Sequence, residues 1–165
     1  MKELLMLERM VIESIAKGEK SLKSIQLDTG LDYSLVLSIA AKLLQRGLVD
    51  YKYGEYSVSK NDINWQKVNR DDSIKNEIKE VSDNMIDIFF DDRSRNKLKL
   101  QKVYINKQDE KILNSLLNSV ENFVNDLRKD QKVNNVKVQT KDQKVLMWGY
   151  GDYQDLVQNT LKVVS

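Results

Sequence analysis

Glycines at positions 18, 30, 47 and 54 cut the first sixty residues of this 165-residue chain into segments that have room only for brief helices and strands. There is no proline anywhere, so glycine is the strong backbone breaker here, supplying the left-handed conformations with which helices and hairpins end. Between these breaks the apolar period is helical three times over. Leu4, Leu5, Leu7, Met10, Val11, Ser14 and Ile15 fall on one stripe, closed by Gly18 among lysines. Ser21 is placed to cap a second helix over Leu22–Thr29, which Gly30 stops. Asp32 is placed to cap a third, running to about Arg46 and closed by Gly47. The period then falls to two. Leu48–Tyr53 and Glu55–Ser59 are rich in tyrosine and valine, and they flank Gly54 as the arms of a hairpin.

Helix, helix, turn, helix and hairpin within sixty residues is the plan of a winged helix-turn-helix, in which two helices brace a third whose outer face enters the major groove. On the third helix Val36, Ile39, Ala40, Leu43 and Leu44 are expected inside. Tyr33, Ser34, Leu37, Ser38, Ala41, Lys42 and Gln45 are then outside. Tyr33, Ser34 and Ser38 carry hydroxyls for bases or phosphates, while Lys42, with Lys52 and Lys60 from the hairpin, carries charge for phosphates. Leu35 and Leu37 are apolar for a groove surface, so a second reading stands beside the first, in which the same face binds a protein. Tyr51, Tyr53 and Tyr56 are expected to pack the hairpin on the third helix rather than to stack on bases.

Residues 61–71 lose the period and form the expected connector, with Trp65 as an anchor. From Asp72 a long helix places Ile74, Ile78, Val81, Met85 and Ile88 four and three apart, a seam that serves either the chain's own core or a two-fold dimer. Leu98, Leu100, Val103 and Ile105, among lysines, suggest a strand. Asp109–Lys129 is a helix whose apolar face, from Ile112 to Leu127, is so wide that deep burial is expected. Val136 with Val138, and Val145–Trp148, suggest further strands, and Tyr153–Val163 a last helix. The fold class expected is therefore α+β, with a winged helix over 1–60 and a mixed helix and strand region over 72–165 for dimerisation or sensing.

Composition narrows function. Cysteine and histidine are both absent, which removes disulfides, thiolate metal sites, the commonest general base and the commonest neutral metal ligand. No cofactor and no enzymatic activity are expected. Gly149-Tyr150-Gly151-Asp152 lacks the further glycine and lysine of a phosphate loop and reads as a turn. Asp91-Asp92 reads as a solvated helix end. The net charge is only +2, and the excess lies in residues 1–70, where 11 Lys+Arg face 9 Asp+Glu. That is modest support for nucleic-acid binding. No run is long and apolar enough for a membrane span. The start, Met1-Lys2-Glu3-Leu4, enters the amphipathic pattern without an export signal, so a cytoplasmic location is expected.

The stretch Ala40–Val58, with its Gly47-Leu48-Val49 exit from helix to strand, is followed by Ser73–Phe90, then Asp92-Arg93-Ser94, then Lys97–Leu127 with Lys107-Gln108-Asp109-Glu110 opening the helix. This order resembles an uncharacterised family of bacterial winged-helix transcriptional regulators abundant in predatory bacteria. The likeness covers about 90 residues and rests on residue types rather than invariant motifs. The family's usual aromatic-proline ending is missing here. The resemblance implies a regulator without an assigned ligand. Taken together, the expected partners are double-stranded DNA and a second copy of the chain, with a protein partner as the alternative and no membrane.

Overall fold

The computed structural model describes residues 3–66, 68, 70–92, 97–134 and 138–164. Its elements are α1 (Met6–Ala16), α2 (Leu22–Thr29), α3 (Tyr33–Gln45), β1 (Val49–Lys52), β2 (Glu55–Val58), α4 (Asp62–Gln66), α5 (Arg70–Asp91), α6 (Lys107–Val133), a single 3-10 turn over Thr140–Asp142, and α7 (Tyr153–Val164). Among the described residues the fold is thus mixed, with many helices and one small antiparallel sheet.

Local chemistry explains the first five elements. The Ser21 hydroxyl accepts the Ser24 amide at the start of α2, and the Asp32 carboxylate accepts the Ser34 amide at 2.9 Å at the start of α3. Gly30 ends α2 in the left-handed region, its amide donating to the Gln26 carbonyl. β1 and β2 pair from Val49 with Val58 to Lys52 with Glu55. The two-residue loop Tyr53-Gly54 between them has positive φ at both positions, 53° and 87°, the turn whose twist suits a hairpin. Lys20 adds a bridge that the sequence did not announce: its amide and carbonyl bond reciprocally to Tyr56, tying the α1–α2 connection to β2.

One core lies inside these elements. Val11 and Ile15 of α1, Ile25 of α2, Val36, Ala40 and Leu43 of α3, and Leu48, Val49 and Tyr56 of the hairpin are all buried, with Trp65 packed at the edge. The expected inner face of α3 is as read from its period, except that Leu44 is only half-buried. On α1 the buried positions are Glu8, Val11, Ser14 and Ile15, with Leu4 buried ahead of the helix, whereas Leu5 and Leu7 are exposed. The helix begins only at Met6, so its inward stripe is narrower than expected. The connector is not irregular: α4 occupies Asp62–Gln66, and the Trp65 indole donates to the Ser59 carbonyl at 2.9 Å.

α5 packs against α1 and the residues before it. The Leu4 amide donates to the buried Ser73 hydroxyl, the Met6 amide to Glu80, and Arg9 pairs with Glu77 at 2.8 Å. Of the seam residues, Val81 is buried by the chain itself and Met85 half-buried, whereas Ile74 and Ile78 are exposed. Ile88 is exposed as well, so Val81 and Met85 serve the chain's own core while Ile74, Ile78 and Ile88 do not.

The strands expected at Leu98–Ile105 and Val145–Trp148 do not form, since residues 97–106 and 143–152 carry no ladder. Val136 lies outside the described residues, as do Arg93 and Ser94. The deep burial expected for the long helix is also not found. No residue of α6 is buried, and the 143–152 segment meets it where the Tyr150 hydroxyl donates to Asn114 at 2.9 Å.

Candidate nucleic-acid interface

The outer face of α3 is open. Tyr33 and Leu37 are 46% and 45% exposed, and Leu35, Ser34, Ser38 and Ala41 are exposed as well. Two hydrogen bonds order its first turn. The Ser34 amide and hydroxyl both donate to Asp32, and together they hold that carboxyl below its ordinary range. Ser34 is thus partly committed to the cap, while Tyr33 and Ser38 project from successive turns.

Lys42 is exposed along its stem, but its ammonium lies 2.5 Å from Glu8, which also takes the Arg46 guanidinium at 2.8 Å and the Leu5 amide. Glu8 is 2% exposed. Burial pushes its pKa up, but the Lys42 bond, the Leu5 amide and the Arg46 and Lys42 charges outweigh burial and hold it below its ordinary value. Lys42 therefore arrives at the surface already half-neutralised. Lys52 and Lys60 are exposed at the two ends of the hairpin. Lys52 pairs in register with Glu55 beside the turn, and Lys60 lies just beyond the end of β2.

The tyrosines divide. Tyr56 is buried in the core, and its hydroxyl's pKa is raised by that burial and by the nearby Tyr51 and Tyr33. Tyr51 leans on Tyr56, with ring centroids 4.8 Å apart. Tyr53, at the turn, is fully exposed and packs on nothing, contrary to the expectation that all three brace the hairpin.

The second half of the chain returns to this unit against α1 and α2, with Lys141 beside Gly30 at the α2–α3 turn. Asp28 is the fixture. It accepts the Thr140 amide at 3.0 Å and the Thr140 hydroxyl at 2.7 Å, and it pairs with Lys20 at 2.8 Å and Lys17 at 3.5 Å. Lys17 also donates to the Val138 carbonyl and to Thr140. Burial raises the Asp28 pKa, but the bonds from Lys20, Ser14 and Thr140 prevail, and the carboxyl sits far below its usual range. Nothing in the sequence marks Asp28 or Thr140 as partners, because they are 112 positions apart and each reads as an ordinary surface residue.

Among the described residues no cluster of carboxylates is placed to hold a metal, and no helix is long and apolar enough to cross a membrane. No family model, curated protein or solved structure matches the chain.

Proposed function

We propose that this protein binds double-stranded DNA through α3 and the β1–β2 hairpin, as a winged helix-turn-helix, and that it regulates transcription. The observation that carries this reading is the uncovered outer face of α3, which stays exposed while the chain's C-terminal half returns against α1 and α2 on Asp28. Tyr33 and Ser38 would meet base edges or sugars, and Lys52 and Lys60 phosphates, with Lys42 contributing less because Glu8 holds it. Residues 1–60 then form the binding unit, 61–71 the connection, and 72–165 a part for dimerisation or sensing. Such a regulator would work in the cytoplasm and need no cofactor.

The test is a titration of the full chain with random duplexes at several salt concentrations. Affinity is expected to fall steeply with salt, by roughly 0.9 log units per log unit of salt for each phosphate contact. Lys52→Ala should weaken binding to every sequence and lower that slope by about one. No binding at low salt would sink the reading.

One observation favours a different occupant for the same face. Tyr33 and Leu37, one turn apart, make a short apolar strip on one flank of it, Leu35 is exposed on the other flank, and the Lys42 ammonium is paired with Glu8. A protein surface would suit that strip, and it becomes the better account if duplexes fail to bind.

A further inference from the structure

The 3-10 turn Thr140–Asp142 is fixed to the first sixty residues by more bonds than so short an element usually makes. Thr140 is buried and gives its amide and hydroxyl to Asp28, while the Lys17 ammonium reaches the Val138 carbonyl and the Thr140 hydroxyl. The turn packs against α1 and α2. This fixture sets where the next residue, Lys141, stands. Lys141 is exposed, and its stem lies across Gly30, with Cδ and Cβ 3.4 and 3.5 Å from the place that a Cβ on that glycine would occupy.

Gly30 lies in the turn between α2 and α3. Tyr33, the first residue of α3, is three residues further on, at most about 11 Å away. When a unit of this plan docks on a duplex, the first residues of its third helix reach base edges, and phosphates line the groove on both sides of them. The Lys141 ammonium, two bonds beyond Cδ, stays beside this turn. Among the described residues no carboxylate pairs with it. Asp32, which caps α3, is engaged by the Ser34 amide and hydroxyl. Asp142 follows Lys141 and is exposed as well, so position rather than net charge singles Lys141 out.

We propose that Lys141 is a DNA contact lent by the C-terminal half, its ammonium pairing with a phosphate beside the groove that α3 enters. The assignment rests on the DNA reading above and extends it. It makes the binding unit discontinuous, since residues 138–142 join residues 1–60 in it. Lys141 supplies at the first turn of α3 the free cation that the helix itself lacks: the lysine within α3, Lys42, stands in its last turn and is held by Glu8. The Asp28–Thr140 bonds act as positioning contacts, holding the lysine at the turn so that little of its freedom is lost on binding.

Fluorescence anisotropy of labelled random duplexes, titrated with the full chain at several salt concentrations, tests this. Lys141→Ala is expected to weaken binding by about tenfold at about 0.1 M salt and to lower the salt slope by about one, as the loss of one phosphate contact does. Lys141→Arg should keep both, and Lys111→Ala, an exposed lysine of α6, should change neither. Because Lys141 is exposed, helix content and the thermal midpoint of Lys141→Ala should match the wild type, which separates a lost contact from a lost fold. If the wild type binds no duplex at low salt, the DNA reading falls and the role of Lys141 with it. If the wild type binds and Lys52→Ala lowers the slope while Lys141→Ala does not, the role of Lys141 alone falls. An equal loss with Lys111→Ala also overturns it, since any lysine would then serve.

Discussion

Two buried carboxylates organise the chain at the level of single residues, and neither has a charge partner near it in sequence. Glu8 reaches forward to Lys42 and Arg46, tying α1 to the end of α3. Asp28 takes up Lys20 from the α1–α2 connection and Thr140 from the far end of the chain. A buried acceptor that serves several donors cannot be removed cheaply, because each donor is left without a partner in a place water does not reach. Asp28→Asn keeps the shape but loses the charge and turns one acceptor into a donor facing Lys20 and Thr140. It should cost about 2–4 kcal/mol, read as a lowered urea midpoint at unchanged slope. A cost under about 0.5 kcal/mol would mean that the Thr140 attachment is not populated in solution.

At the level of elements, the turns are where backbone conformation and packing part company. Gly47 and Gly54 both have positive φ, 66° and 87°. A Cβ on Gly54 would meet open space, whereas a Cβ on Gly47 would collide with the Asn64 side-chain amide, which donates to the Gly47 carbonyl at 3.1 Å. Gly54→Ala should therefore cost only the conformational penalty, about 1 kcal/mol, and Gly47→Ala that penalty plus a displaced α4, about 2–3 kcal/mol. Thermal unfolding of the two variants checks the order, and equal losses would show that Asn64 yields freely. The elements that failed to appear teach the same lesson. Leu98–Ile105, partly alternating, and Val145–Trp148, a continuous apolar run, both suit strands, but a strand needs a partner edge, and neither segment supplies a ladder to the other.

For the molecule as a whole, stability should depend on acid in a defined direction. Glu8 and Asp28 both have folded pKa values below their ordinary ones. A carboxylate of that kind contributes stability that is fully present above the unfolded value, about 4, and is lost as pH falls through the folded value. With no histidine in the chain, no side chain of ordinary pKa changes charge between pH 5 and 8. Through Glu8 and Asp28 stability is expected to fall below about pH 4.5, as followed by denaturant midpoints, with Glu13, whose pKa is raised by burial and by Glu77, opposing that fall. A midpoint that drops between pH 7 and 6 would contradict this account.

The period of the first sixty residues, the caps at Ser21 and Asp32, and the glycines at 30, 47 and 54 were sufficient to place α1 to α3 and the hairpin, and to say which side of α3 faces out. These are local matters, settled by which residues can sit in a helix, a cap or a left-handed turn. Tyr33, Ser34, Ser38, Lys52 and Lys60 follow from the same logic. Tertiary structure alone decided that Glu8 holds Lys42, that Asp28 holds Thr140, that Val81 turns inward, and that α6 stays bare. Those outcomes depend on which distant surfaces meet, and burial of a charge or exposure of a leucine has no signature in the spacing of its neighbours.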